Sequence, residues 1–199
     1  TGHCAHFDAI GCDKWKTFCF SCPQKKKYPK SFFIDRSSKN FIEKKDLFNS
    51  IKNLTVVSVS EWLKNIVSQS FLQNKPSKLI LNGLDPSLLI LYAAVAQRFR
   101  DKMGLKSKLL IIGVASSWTS RKGLADYCEL SFLLDENSQI ILVGLDSQQQ
   151  QMLPSNIIAI NKTINIQELV DIYSAADVVL NLSVEDTFGM TTIEGFACG

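Results

Sequence analysis

Residues 177–199 read DVVLNLSVEDTFGMTTIEGFACG, and this stretch decides the fold. Its first part, residues 177–182, is a short apolar run bounded by polar residues, which is typical of a buried parallel strand. Phe188 and Gly189 follow an acidic pair, and a segment with helical periodicity comes after them. A strand, a tight turn with glycine and the start of a helix together point backbone N–H groups and the positive end of the helix dipole at an anion.

Two acids, Asp186 and Glu194, flank the predicted start of this helix. Negative charge is unexpected there if the ligand carries phosphate alone. Carboxylates accept hydrogen bonds from hydroxyl groups, so the two acids favour a ligand that carries both phosphate and sugar hydroxyls.

The preceding part of the chain alternates between apolar runs and helical segments. The pattern predicts strands at 109–115, 140–144 and 156–160 and helices at 124–134 and 146–152. Apolar strands that alternate with helices indicate an α/β fold whose parallel sheet is covered on both faces. In such sheets ligands bind beyond the carboxyl ends of the strands.

Asn165 is the predicted N-cap of the helix that precedes the closing stretch. The spacing of apolar residues along that helix predicts a buried face formed by Ile166, Leu169, Val170 and Tyr173.

The polar loop 116–122 ends in two adjacent cations, Arg121 and Lys122. In a diphosphate site they would neutralise the ligand, and they would stabilise the charge that develops on a departing diphosphate. A solvated basic turn is the ordinary interpretation of an isolated Arg-Lys pair. The second polar loop, residues 183–189, lies at the same predicted edge of the sheet and favours the binding site.

The first part of the chain repeats the strand-then-helix pattern. A surface helix is predicted at 39–51 and a strand at the β-branched run 54–59, with Ser60 as the N-cap of the next helix. Another short strand is predicted at 78–81, and the turn-forming residues 82–86 follow it.

The composition changes after that turn, where a helical run and a polar stretch containing Gly104 follow. We therefore predict a first domain at 1–85, a linker at 86–107 and a second domain at 108–199.

Four cysteines, Cys4, Cys12, Cys19 and Cys22, lie in the Cys-rich segment 1–29. The last two have the spacing that lets both thiolates bind one metal, and the two histidines of the chain are additional candidate ligands. One hypothesis is a structural zinc site. The other is a set of reduced or disulfide-bonded cysteines that hold an irregular loop. The lysines that follow are typical of a solvated loop rather than a nucleic-acid module.

The bulk composition excludes several classes. Hydrophobic residues make up 46% of the chain and charged residues 21%, as in ordinary globular proteins. The net charge of +3 is too small to indicate nucleic-acid binding, although it suits a weak preference for anionic surfaces. Apolar runs reach about eight residues, well short of the roughly 20 that span a bilayer.

Characteristic motifs of other enzyme classes are missing from the sequence. It contains no Gly-x-Gly-x-x-Gly or Walker loop, so dinucleotide oxidoreductases and P-loop enzymes are disfavoured. It has no Gly-x-Ser-x-Gly elbow of hydrolases and no Asp-x-Asp pair of the kind that binds a metal ion in one class of sugar transferases.

Three stretches together resemble family 4 retaining glycosyltransferases of the GT-B fold. They are residues 121–123, the turn 82–85 and residues 173–199, with an acid, seven intervening residues and then Glu as the most specific part. The cysteine-rich opening and the pair Glu185 and Asp186 are similar to bacterial exopolysaccharide and lipopolysaccharide transferases. The likeness covers nearly the whole chain.

The resemblance implies a GT-B architecture of two Rossmann-like domains with parallel sheets, both incomplete in this sequence, which we expect to be a fragment. Residues 1–85 would be the C-terminal part of the acceptor-side domain, and residues 108–199 would bind the nucleotide-sugar donor. The family uses a histidine near the reacting centre, which we expect upstream of Thr1.

The resemblance also implies roles for particular residues. The catalytic set would be Arg121, Lys122, Asp186 and Glu194. Arg121 and Lys122 would contact the donor diphosphate, Glu194 the ribose hydroxyls and Asp186 the donor sugar.

The rest of the donor site would come from the same loop. Glu185 would belong to it, and Phe188, Gly189 and Met190 would offer backbone N–H groups to the sugar or phosphate. No metal or other cofactor is expected for catalysis.

The resulting expectation is a hexosyltransferase of cell-surface polysaccharide biosynthesis. Its partners would be a UDP- or GDP-type nucleotide-sugar donor and a glycan or lipid-linked acceptor, with no nucleic acid. We expect it to be cytoplasmic, with peripheral contact at the inner face of the membrane. The alternative is a non-catalytic nucleotide-sugar-binding or zinc-stabilised interaction domain.

Overall fold

The computed structural model describes residues 12–26, 33–85, 87 and 93–199. The chain divides into two compact units, residues 1–82 and 83–199. The elements in chain order are α1 (Ser37–Ser50), β1 (Val56–Ser58), α2 (Glu61–Ser68), β2 (Ser77–Leu79), α3 (Ala93–Met103), β3 (Leu109–Val114), α4 (Leu124–Leu133), β4 (Ser138–Val143), α5 (Ser147–Met152), β5 (Ile157–Ile160), α6 (Ile166–Ala175), β6 (Val178–Val179) and α7 (Met190–Ala197). Short 3-10 helices span Lys14–Lys16 and Ser120–Lys122.

The first unit contains a two-stranded parallel sheet, in which Val56 pairs with Ser77 and Ser58 with Leu79. Helix α2 connects the two strands. The Ser60 hydroxyl accepts a hydrogen bond from the N–H of Leu63 and caps α2, which confirms the predicted N-cap.

Aromatic side chains hold α1 against the rest of the first unit. The ring of Phe41 makes edge-to-face contacts with Phe18 and Phe71, each at a centroid distance of 5.5 Å. Trp15 and Ile66 form a small buried cluster in the same unit. Edge-to-face packing is favourable beyond the area that the rings bury.

The second unit is built on a four-stranded parallel sheet with the order β5-β4-β3-β6. Alternate residues of each strand face opposite sides. On one side Ile112 of β3 packs with Val170 and Ile172 of α6. On the other side Ile111 of β3 packs with Tyr127 of α4. The prediction of an α/β fold with a parallel sheet covered on both faces is confirmed.

The buried face of α6 differs from the prediction. Asn165 caps the helix as predicted, by accepting a hydrogen bond from the N–H of Glu168. Ile166, however, is 46% exposed, whereas Ile172 is buried. Helix α6 packs against α3 and α7 as well as the sheet. Burial is therefore concentrated in its C-terminal half, and Ile166 in the first turn lies outside those contacts.

The closing strand is also shorter and more exposed than predicted. Its backbone hydrogen bonds to β3 are donated by the N–H groups of Asp177, at one end, and Leu180, at the other. Only β3 flanks it among the described strands, and Val178 is 39% exposed. It is parallel as predicted, but it is an edge strand rather than a fully buried one.

An arginine fixes the amino end of that edge strand. The guanidinium of Arg100 donates to the carbonyl oxygens of Ala175 (2.8 Å) and Lys108 (3.0 Å) and to the carboxylate of Asp177 (2.6 Å). The same carboxylate accepts from the N–H of Leu110 at 2.7 Å. Burial of Asp177 opposes its charge, but these hydrogen bonds outweigh burial and hold the pKa of the carboxyl below its usual value. These hydrogen bonds connect α3, the end of α6 and the start of β3 to β6.

Helix α3 lies within the stretch that the sequence places in a linker, residues 86–107. It packs against α6 in the second unit, and the division between the units falls between Asn82 and Gly83.

Candidate functional site

The carboxyl ends of β3 and β6 open toward the same edge of the sheet. The strands are parallel neighbours, with Ile111 paired to Val178 and Ile112 to Val179. The segments that follow them are the loop ending in the 3-10 helix Ser120–Lys122 and the loop 180–189. Parallel pairing places both loops at one edge, as the alternation of strands and helices predicts.

The two loops touch through their backbones. The N–H of Val184 donates to the carbonyl oxygen of Arg121 at 2.9 Å. Gly123 has a φ of +72°. A Cβ atom on it would lie 2.5 Å from the carbonyl oxygen of Leu182. Glycine is therefore required at position 123 both for its left-handed backbone and for the space that it leaves.

Each predicted cation faces a predicted carboxylate across this contact. Arg121 Nη2 lies 3.5 Å from Glu185 Oε2, and Lys122 Nζ lies 3.0 Å from Asp186 Oδ2. The Glu185 side chain is 5% exposed, whereas those of Lys122 and Asp186 are 29% and 30% exposed. A partly exposed ion pair such as that of Lys122 with Asp186 contributes about 0–1 kcal/mol to stability. The two pairs hold the four side chains beside one another.

Helix α7 begins beside these pairs. Gly189 precedes its first residue, Met190, in a left-handed conformation with a φ of +75°. The first N–H groups of a helix have no intrahelical acceptor, so they and the helix dipole favour an anion at this end. Phe188, Gly189 and Met190 are all half-buried.

The carboxylate of Glu194 lies in the second turn of α7 and is held there. The hydroxyl of Tyr173, on α6, lies 3.1 Å from Glu194 Oε2 and 3.0 Å from the carbonyl oxygen of Thr191. The sequence predicts Tyr173 only as part of the buried face of α6 and does not predict this polar contact. The residue type could have indicated it, because a buried tyrosine hydroxyl usually has a hydrogen-bond partner.

Two aromatic residues support the loops from inside. The hydroxyl of Tyr127 donates to the carbonyl oxygen of Leu180, and Trp118 Nε1 donates to the carbonyl oxygen of Val143 at 2.9 Å. The two rings pack edge to face at 5.4 Å. Burial raises the pKa of Tyr127 to about 12, so its hydroxyl remains a donor.

Comparisons with solved structures agree with this architecture. HepE from Anabaena, crystallised with UDP-glucose, matches with a TM-score of 0.64 and 20% identity, over 80% of this chain and 46% of that one. A sucrose-phosphate synthase from Thermosynechococcus elongatus matches with a TM-score of 0.67 and 19% identity, over 90% and 45%. A glycosyltransferase from Rickettsia africae matches with a TM-score of 0.62 and 23% identity, over 84% and 47%.

The chain has a GT-B type α/β fold. It spans about half the length of the structures that it matches. No family model and no curated protein sequence matches it.

The cysteine segment is described only in part. Cys12, Cys19 and Cys22 are half-buried, and Cys4 lies outside the described residues, as do both histidines. Within the described ranges no three His, Cys, Asp or Glu side chains form a group that could hold a metal ion. The zinc site stays a prediction.

No helix in the described part of the chain is both long enough and apolar enough to cross a membrane.

The contact between the loops predicts an unequal effect of two matched substitutions. Gly123 and Gly104 have nearly the same φ, +72° and +70°, but only Gly123 lies against another chain segment. We expect Gly123→Ala to lower the free energy of unfolding by about 1–3 kcal/mol more than Gly104→Ala, because it adds steric overlap to the same backbone strain. Urea unfolding of both variants measures the difference, and equal losses would show that the contact with Leu182 is not tight.

Proposed function

We propose that the chain carries the donor-binding part of a glycosyltransferase that moves a hexosyl group from a nucleoside diphosphate sugar to a glycan or lipid-linked acceptor. The observation that carries the proposal is the pairing of Arg121 and Lys122 with Glu185 and Asp186 beside the start of α7. One edge of the sheet thus offers two cations, the N–H groups at the start of a helix, and carboxylates that can accept hydrogen bonds from hydroxyl groups. A diphosphate joined to two sugars needs all three.

The diphosphate would bind between the cations and the start of α7. Lys122 and Asp186 form a partly exposed pair, which costs little to separate. A diphosphate can therefore replace Asp186 as the partner of Lys122, and Asp186 then becomes available to hydroxyls of the donor sugar. The N–H groups of Gly189 and Met190 would complete the anion site.

The ribose would bind at Glu194. Its carboxylate is half-buried and lies on the helix whose amino end would hold the phosphates. A carboxylate with two oxygens suits a pair of adjacent ribose hydroxyls. HepE from Anabaena, a structural neighbour, is crystallised with UDP and with UDP-glucose, which supports a nucleotide sugar as the ligand.

Catalysis would consist of stabilising the leaving group. As the bond between the anomeric carbon and the diphosphate breaks, negative charge grows on the diphosphate beside Arg121 and Lys122. The acceptor hydroxyl would bond to the anomeric carbon on the face that the diphosphate leaves, with retention of configuration, and its proton would pass to the departing diphosphate oxygen. Fixed cations supply the charge stabilisation, so this scheme requires no metal ion.

The family and the biological role rest on the sequence. Residues 121–123, 82–85 and 173–199 resemble family 4 transferases. The cysteine-rich opening and the pair Glu185 and Asp186 are similar to bacterial transferases of exopolysaccharide and lipopolysaccharide synthesis. They support a retaining enzyme of cell-surface polysaccharide synthesis, acting in the cytoplasm.

A nucleotide titration tests the donor site. We expect UDP or GDP, at a free concentration about one hundred times its Kd, to raise the free energy of unfolding by about 2.7 kcal/mol. For a chain of this length, that corresponds to a rise in Tm of roughly 5–10 °C. Arg121→Ala and Glu194→Ala should each reduce the shift, whereas Lys106→Ala, an exposed lysine of the same unit, should not. If no nucleotide or nucleotide sugar shifts the Tm, the donor site is wrong.

An activity assay distinguishes an enzyme from a binding domain. Hydrolysis or transfer of a nucleotide sugar that is lost in Arg121→Ala establishes catalysis. Tight nucleotide binding with no turnover for any donor and acceptor identifies a silent binding domain instead.

The charge distribution supports peripheral contact with an anionic membrane. Residues 1–52 carry a net charge of +6 and residues 53–199 one of −3, which together give the +3 of the chain. Phe33 and Ile34 are 98% and 66% exposed, close in sequence to the exposed Lys25 and Lys26. Exposed apolar side chains near lysines suit the interface of an anionic bilayer, where each cation contributes about 1 kcal/mol.

Vesicle sedimentation tests this surface. We expect binding to vesicles that contain an anionic phospholipid and none to neutral vesicles at the same ionic strength. The double variant Lys25→Glu/Lys26→Glu should lose most of the binding, and the matched variant Lys106→Glu/Lys162→Glu should keep it. Equal binding to both kinds of vesicle, or equal loss in both variants, would contradict the proposal.

A structural zinc ion held by the four cysteines Cys4, Cys12, Cys19 and Cys22 is the remaining proposal for the first unit. Elemental analysis should find one zinc ion per chain, lost in Cys22→Ser and kept in Cys128→Ser, a half-buried cysteine of the second unit. A folded, metal-free chain would remove the zinc site and leave the alternative of cysteines that only hold the loop.

A further inference from the structure

The hydroxyl of Tyr173 lies at the junction of α6 and α7. The residue is 3% exposed. Its oxygen lies 3.0 Å from the carbonyl oxygen of Thr191 and 3.1 Å from Glu194 Oε2. A phenol carries a single hydrogen, so it can donate fully to only one of these two acceptors at a time.

The charge of Glu194 decides between the acceptors. Burial, and then the nearby carboxylate of Glu194, raise the pKa of Tyr173, so the phenol keeps its proton at physiological pH. A hydrogen bond to a carboxylate is stronger than one to a backbone carbonyl. The bond from Tyr173 to Glu194 is therefore favoured, and it holds one carboxylate oxygen, Oε2, toward α6.

The backbone of Glu194 is fixed by separate contacts. A Cβ atom on Gly195 would lie 2.9 Å from Val179 Cγ2, so α7 lies directly on β6. The amide of Asn181 donates to the hydroxyl of Thr192 at 3.1 Å. These contacts fix the helix but not the side-chain torsions of Glu194, and within the described residues Tyr173 is the side chain that bonds to its carboxylate.

We propose that Tyr173 is a positioning residue that holds Oε2 of Glu194 and presents Oε1 to the paired hydroxyls of the donor ribose. It thereby sets the preference for ribonucleotides over deoxyribonucleotides. The inference rests on the donor site proposed above. Tyr173 touches no part of the donor itself and acts through Glu194.

The size of the effect follows from the freedom that Tyr173 removes. Without the phenol hydroxyl, the carboxylate samples several rotamers and has to be ordered when the ribose binds. Ordering one such side chain weakens binding by roughly three- to tenfold. A ligand without ribose hydroxyls gains nothing from an ordered carboxylate, so its affinity should not change.

Calorimetric titration of Tyr173→Phe tests the inference, with UDP, GDP and their 2′,3′-dideoxy forms as probes. We expect the ribonucleotide that binds the unsubstituted chain to bind roughly three- to tenfold more weakly to Tyr173→Phe. Binding of its dideoxy form should be unchanged. Tyr127→Phe is the matched control, because it removes another buried phenol that bonds to a backbone carbonyl, and it should keep the ratio of the two affinities.

A double-mutant cycle keeps the test independent of folding effects. In a Glu194→Ala background, Tyr173→Phe should change the ratio no further, because the side chain through which it acts is gone. An unchanged ratio in Tyr173→Phe, an equal loss for both nucleotides, or an effect that persists with Glu194→Ala would overturn the inference. If no nucleotide binds the unsubstituted chain, it is the donor site that fails.

Discussion

The contact between Gly123 and Leu182 is the constraint on which the candidate site depends. It brings the loop after β3 within hydrogen-bond distance of the loop after β6, and a side chain at position 123 would separate them. The contact is available only because β6 pairs directly with β3. Two cations and two carboxylates from distant parts of the sequence therefore become neighbours without any strong interaction between their side chains.

The edge strand that makes this possible is held at both ends by different means. At its amino end the ion pair of Arg100 and Asp177 fixes β6 to the start of β3. At its carboxyl end the phenol of Tyr127 donates to the carbonyl oxygen of Leu180, and Gly123 packs against Leu182. A short ladder alone would leave the register weakly specified. Polar contacts to buried partners compensate for the few ladder bonds of this strand.

Local patterns predicted elements of both units, whereas contacts between distant residues did not follow from these patterns. The apolar runs and the caps Ser60 and Asn165 correspond to elements that the structure contains, because periodicity and capping act within a few residues. The exposure of Ile166 depends on α3 and α7 packing around one half of α6, which no local pattern encodes. The partners of Arg121 and Lys122, and the bond from Tyr173 to Glu194, likewise depend on strand order.

The same geometry explains why acids occur beside the two cations of the proposed phosphate site. Two adjacent cations repel each other and lose side-chain entropy when they are ordered, so the two cations alone would be poorly ordered. Carboxylates at 3.0 and 3.5 Å compensate for that repulsion. Glu185, 5% exposed, is enclosed beside Arg121, whereas Asp186 is 30% exposed and open to exchange. Since an exposed pair is worth at most about 1 kcal/mol, in the proposed donor site an incoming anion with greater charge would displace Asp186 at little cost. The two carboxylates would therefore order the cations without blocking the ligand.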